Sequence, residues 1–137
     1  MPSFAKINLH LRVLGKRPDG FHELCTVFQT VSLHDRIRFE AAEELSMTCD
    51  DPAIPAGEAN LIIRAASRLR EFSGTTVGAR LHLEKRIPSP GGLAGGSSNA
   101  AVTLIGLLRL WGLEIPHEEL LTIAAELGSD VPFFLEG

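Results

Sequence analysis

Between Ile87 and Trp111 the chain reads IPSPGGLAGGSSNAAVTLIGLLRLW. Gly91, Gly92, Gly95 and Gly96 fall within six positions, and Ser97, Ser98 and Asn99 follow at once. Glycines this dense remove Cβ atoms and open positive φ, so backbone N–H groups can converge on a ligand. Ser and Asn are helix N-cap residues. The apolar run after them reads as a buried helix starting near Ser97, whose free N–H groups and positive dipole end face the loop. Such a loop is an anion site, and phosphate is the usual anion. The sequence is neither G-x-x-x-x-G-K-[ST] nor G-x-G-x-x-G, so this is not a P-loop or a dinucleotide fingerprint. The alternative is a tight strand-to-helix connection without a ligand, which rarely needs four glycines and three cap residues.

Three further places carry groups that could do chemistry. Lys6 and Asn8 share one parity of an alternating segment, either on solvent or on the floor of a polar cleft. Phe21-His22 follows the turn GKRPDG. There, ring and imidazole could stack on and hydrogen-bond a nucleobase, or be a core Phe and a surface His. Asp130 lies in SDVPFF, as a turn residue or as a partly buried general base at a helix-to-strand junction.

The elements that must position these groups follow from periodicity. Phe4 to Val13 alternates, with Ala5, Ile7, Leu9, Leu11 and Val13 on the apolar parity, which predicts a strand with one buried face. Pro-Asp-Gly makes the reversal at Gly15 to Gly20. Leu24 to Leu33, Arg36 to Ala41 and Leu45 to Cys49 read as further strands, so the first third is mostly antiparallel sheet. The prolines of Asp50 to Ala59 mark a loop. Asn60 caps a helix to about Phe72, ended by Gly74. Arg80 to Ile87 alternates again as a half-buried strand, giving strand, glycine loop and helix in succession. Gly112 stops the central helix. Pro116 suits the first residue of another, closed by Gly128.

Composition sets the class. The chain has 137 residues, 45% hydrophobic and 22% charged, which fits one globular domain with its own core. A net charge of −4 argues against a nucleic-acid-binding surface. The two cysteines, Cys25 and Cys49, form no C-x-x-C and read as reduced core thiols of a cytoplasmic protein. The five histidines show no metal-ligand spacing. No apolar run approaches membrane-spanning length, and the N-terminus does not read as a secretory signal.

Taken together, AKINLHL, PSPGGLAGGSSNAA and LGSDVPFF, in this order, resemble the GHMP small-molecule kinases. RPDGFHEL and NLIIRAA are similar to the hairpin and first helix of the branch acting on a cytidine diphosphate-linked methylerythritol, and Lys6, Phe21-His22 and Asp130-Val-Pro-Phe-Phe in combination narrow the resemblance to that branch, over essentially the whole chain. The resemblance implies an α+β fold, a ribosomal protein S5 domain 2-like N-terminal lobe with a mostly antiparallel sheet and helices on one face. It implies a single ATP-binding N-terminal domain over 1–137, the second lobe lying beyond the chain. Pro88, Ser89, Pro90, Gly91, Gly92, Leu93, Ala94, Gly95, Gly96, Ser97 and Ser98 match the ATP phosphate loop. Lys6 and Asp130 match the catalytic pair, and Asn8, Phe21 and His22 match the cytidine site. Phe21 stands where the family usually has tyrosine, so stacking survives and one possible hydrogen bond is lost. Pro90 and Ala94 replace glycines of some relatives, and Pro90 lacks an N–H, leaving the amides from Gly91 onward to hold phosphate.

The implied reaction moves the γ-phosphoryl of ATP to the 2-hydroxyl of 4-CDP-2-C-methyl-D-erythritol. Mg²⁺ is the expected cofactor, with Ser97 or Ser98 nearby. Nucleic acid and membrane are not expected partners. The rival readings are a GHMP kinase acting on mevalonate or homoserine, RNA binding on the S5-like fold, and a lobe that only binds nucleotide.

Overall fold

In the computed structural model, which describes residues 1–136 apart from the side chains of Leu11 and Leu24, the elements run β1 (Pro2–Lys16), β2 (His22–Ala42), β3 (Leu45–Cys49), α1 (Leu61–Ser73), β4 (Gly78–Glu84), α2 (Gly95–Trp111), α3 (His117–Leu127) and α4 (Phe133–Glu136). The strands form one sheet in the order β1-β2-β4-β3. β1/β2 and β2/β4 are antiparallel, while β3 lies parallel to β4. The expected α+β fold is present, with a mixed sheet.

Alternation builds the core of this sheet. Ile37 pairs with Leu83, Phe39 with Leu81 and Ala41 with Ala79, and Met47 joins the same row from β3. Ala79, Leu81, Leu83, Ile37 and Met47 are buried. Helices α1 and α2 pack on the sheet, and α3 and α4 pack on those helices. The other parity is polar: Arg38 pairs with Glu84, Arg80 with Glu40, and Thr48 Oγ1 meets His82 Nδ1 at 2.7 Å. Both ends of α1 follow the sequence signals. Asn60 Oδ1 accepts the N–H of Ile62 at 2.9 Å, and Gly74 closes the helix at φ 70°.

Several expectations need correction. Leu24–Leu33 and Arg36–Ala41 are one continuous strand, because the chain between them keeps pairing with β1. The buried face expected along Phe4–Val13 holds at Ala5 alone among the described side chains; Ile7, Leu9 and Val13 are exposed, and Leu11 falls outside the description. Beyond Asn8 the β1–β2 ribbon has no buried side chain among the described residues on either strand as far as Phe28, so its apolar parity faces open space. Cys25 and Cys49 are unpaired, but Cys25 is exposed and Cys49 only half-buried, so neither is a core thiol. Pro116 is the residue before α3 rather than its first. Asp130 precedes the short helix α4 and not a strand. No helix among the described residues is long and apolar enough to cross a membrane.

Candidate active site

The glycine stretch is the wall of a cavity. Pro88 to Ala94 wraps from β4 to α2 without regular structure, passing a cis Ser89-Pro90 bond. Gly92 sits at φ 67°, a left-handed conformation that suits glycine. A Cβ on Gly95 would fall 3.0 Å from Ile87 Cγ2, so a side chain there would press on a buried residue. The cavity, of about 300 Å³, is lined by residues 88–96 together with Lys85 and Asp130. It is the size of a small ligand site.

The helix start differs from the sequence reading. α2 begins at Gly95, two residues before Ser97, and is preceded by Ala94 in the left-handed region at φ 54° with no side-chain cap. The first intrahelical bond runs from Ser98 N–H to Ala94 O at 3.0 Å. The earlier N–H groups of Gly95, Gly96 and Ser97 therefore lack helical partners, which makes this an anion-binding helix end. Ser98 and Asn99 are buried within the first turn. Ser3 Oγ lies 2.8 Å from both Ser98 Oγ and Asn99 Oδ1. A serine hydroxyl has one proton, so the chain of donors runs from Ser98 through Ser3 to Asn99. Ser98 thus faces β1 and not the cavity. Ser97 is the half-exposed one, its Oγ 3.9 Å from where a Cβ on Gly128 would stand.

Strand β1 brings Lys6 to the same place through an irregularity. The register jumps between Phe4↔His34 and Lys6↔Thr30. A bulge of this kind breaks alternation and re-aims a side chain. Ala5 and Lys6 are accordingly both buried, Lys6 with 5% of its surface exposed. At that point the Lys6 N–H donates to Leu93 O at 3.1 Å, joining β1 to the glycine loop. Lys6 is therefore not on solvent. Its ammonium donates to Asn8 Oδ1 at 2.8 Å, lies 3.6 Å from Asp130 Oδ2, and sits 4.0 Å from the centre of the Phe28 ring. Phe28 meets Phe133 edge-on, with centroids 5.1 Å apart. Asp130, half-buried, lines the cavity, and the Lys6 ammonium on its aromatic face stands behind it, tied to the lining through Asp130 and Leu93.

Phe21 and His22 are not part of this convergence. They sit at the ribbon tip, Phe21 with 72% of its surface exposed and neither side chain with a partner among the described residues. His22 pairs with Lys16, ten residues along β1 from Lys6; a straight strand covers about 33 Å over that length.

Three contributors were missed in the sequence: Ser3, Asp35 and Lys85. Asp35 is fully buried and accepts bonds from the backbone N–H groups of Arg86 and Ile87. Its signal was its parity, shared with the inward-facing Ile37 and Phe39. Ser3 likewise shares the parity of Ala5. A second cavity on the far side of the loop is lined by Ile54, Pro55, Asn60, Leu61, Leu83 and Lys85, among others. Asp50 is bonded to Lys85, one of the residues lining it. The Lys85 N–H and the Arg86 guanidinium bonded to it hold its carboxyl below the usual carboxylate range.

This constellation has counterparts. The GHMP kinases N terminal domain family matches residues 60–137, more than half of the chain. The chain belongs to the GHMP kinase family. This GHMP kinase domain is 55% identical over 136 residues to the 4-diphosphocytidyl-2-C-methyl-D-erythritol kinase of Synechococcus sp. (strain CC9605), across 97% of its own length and 44% of the relative's. A crystal structure of 4-(cytidine 5'-diphospho)-2C-methyl-D-erythritol kinase superposes with a TM-score of 0.86 at 44% identity, covering all of this chain and 48% of that one. A mevalonate kinase structure superposes at 0.72 with 12% identity, a likeness of fold alone. This GHMP kinase domain spans about half the length of the relatives it matches.

Proposed function

We propose that this chain is the ATP-binding N-terminal lobe of a kinase that phosphorylates the 2-hydroxyl of 4-CDP-2-C-methyl-D-erythritol, a reaction of the non-mevalonate route to isoprenoids. The observation that carries the reading is a cavity lined by the glycine loop and by Asp130, with Lys6 3.6 Å from that carboxylate, in a chain 55% identical to a kinase of that name.

Phosphoryl transfer needs positioning and charge neutralisation more than covalent help. The amides of Gly91 to Ser97 and the α2 dipole hold the phosphates. The second cavity, with apolar walls beside Asn60, suits the adenine. Asp130 accepts the proton of the attacking hydroxyl. Lys6 stabilises the developing alkoxide, and Asn8 and Phe28 hold the ammonium in place. The residues present fit Mg²⁺ modestly. No group of three or more His, Cys, Asp or Glu is clustered for a metal among the described residues, and Ser98 is turned away. Ser97 and Asp130 remain, which suits an ion kept mostly by phosphate oxygens and water. When bound, Mg²⁺ neutralises charge on the β- and γ-phosphates. Phe21 and His22 meet the cytosine only if the ribbon curls over Asn8, and the irregularities at Asn8/His10 and Val13/Gly15 are where it would bend. The proposal places the protein in the cytoplasm, where ATP is supplied.

The test is transfer of labelled γ-phosphate from MgATP to 4-CDP-methylerythritol, mevalonate and homoserine. Label on the cytidine compound alone is expected, and CMP should compete. Asp130→Asn should remove transfer while nucleotide affinity stays within a few-fold, and Lys6→Met should cost at least about 100-fold in rate. Transfer to another acceptor, or to none, overturns the assignment for this chain.

A further inference from the structure

One buried charge takes no part in that chemistry. Asp35 has 0% of its surface exposed, yet its carboxylate is not in the apolar centre. It lies against the residues that lead from β4 into the phosphate loop. Oδ1 accepts the N–H of Arg86 at 2.6 Å and of Ile87 at 2.7 Å, while Oδ2 accepts from Lys85 Nζ at 2.8 Å. The same ammonium donates to Ile87 O at 2.5 Å. Two of its three N–H groups are thereby used, and the third has no partner among the described residues. Lys85 lines the cavities on both sides of the loop, with Nζ 3.2 Å from where a Cβ on Gly95 would stand.

Burial of a carboxylate is costly unless it is paired and hydrogen-bonded, and an apolar replacement of such a pair is often no less stable. A buried ion pair is therefore weak evidence of a stabilising role. Of the partners only Ile87 is a core residue. The bonds tie a sheet strand to the three residues that lead into the loop. We infer that Asp35 is a positioning residue for the nucleotide. Through two amides it fixes where the phosphate loop leaves β4, and through Lys85 it holds an ammonium beside the α2 N-terminus with one donor left for a phosphate oxygen. This rests on the kinase reading above.

Asp35→Asn keeps an oxygen for the two amides and removes the charge that holds Lys85. The expected result is a rise of about 10-fold in KM for MgATP, the scale of one charge-assisted hydrogen bond, with KM for the acceptor within about two-fold. Amide exchange at 91–97 should quicken at least about 10-fold while α1 keeps its protection. Leu69→Ala, a core change in α1, serves as a destabilised control and should not split the two KM values. Should Asp35→Asn fail to fold, the neutral pair Asp35→Asn/Lys85→Met keeps the amide bonds and should show the same selective loss. An unchanged KM for MgATP, equal changes in both KM values, or uniform exchange across the domain each overturns the inference. Affinity for the non-hydrolysable analogue MgAMP-PNP separates the two proposals. No binding by the unsubstituted chain sinks the kinase reading; undiminished binding by the variants sinks the role of Asp35 alone.

Discussion

The inner and outer halves of the β1–β2 ribbon have the same alternating sequence and opposite fates. In the inner half Ser3, Ala5, Lys6, Asp35 and Ile37 are buried. The three polar ones have partners from elsewhere: Ser3 has Ser98 and Asn99, the Lys6 backbone has Leu93, and Asp35 has residues 85–87. In the outer half Leu9, Val13, Leu14, Phe21 and Val27 are all more than half exposed. The last outward contact is Phe28 on Phe133 of α4. Period-2 alternation therefore specifies a strand with two unlike faces, and does not say which face is covered or by what. Coverage comes from α2 and the glycine loop, and these reach only the inner half.

The comparison breaks most readily at a buried sheet position. Leu83→Ala removes a side chain with 1% exposure that pairs with Ile37 and borders the second cavity. The expected loss is about 2–5 kcal/mol of unfolding free energy by urea titration. A loss no larger than at an outer-half position would mean that the sheet around Ile37 is no better supported than the outer ribbon. Ser3→Ala is the next largest. It leaves the buried Ser98 hydroxyl and Asn99 Oδ1 without their shared partner, at a cost of about 1–3 kcal/mol. Because Ser98 belongs to the first turn of α2, this change should also quicken amide exchange at 95–98 before it affects α1. Equal effects on both helices would show that Ser3 only fills space.

The same contrast separates what could be read in the sequence from what could not. α1 was legible at both ends because its signals are local: Asn60 caps within two residues, and Gly74 supplies its own left-handed turn. β3 was legible at both ends too. The glycine loop was found because its chemistry is concentrated in consecutive residues. The start of α2 was misplaced because Ser97-Ser98-Asn99 resembles a cap, whereas Ala94 turns the chain earlier and puts Ser98 and Asn99 inside the helix facing Ser3. Ser3 and Asp35 were passed over because their partners lie some 50 to 95 residues away, and only parity hinted that they point inward. Lys6 shows both cases. Its place on a strand was local information. Its burial depends on the register jump beside Ala5 and on a bond to Leu93, neither of which leaves a pattern in β1 itself.

The smallest expected effect is in the outer half, where it gives the sharpest control. Leu9 is 60% exposed and Val13 56%. Thr is a good strand residue, so Leu9→Thr and Val13→Thr keep the backbone preference and remove apolar surface. With more than half of each side chain exposed, each should change stability by no more than about 0.5 kcal/mol. The urea midpoint should also be independent of protein concentration. A loss near the Leu83→Ala value would mean that this face is covered in solution. If that loss grew with concentration, the cover would be a second copy of the chain, because only association makes stability depend on protomer concentration. A small, concentration-independent change would instead leave the outer ribbon as a strand pair held by its ladder alone, free to bend where its register is irregular.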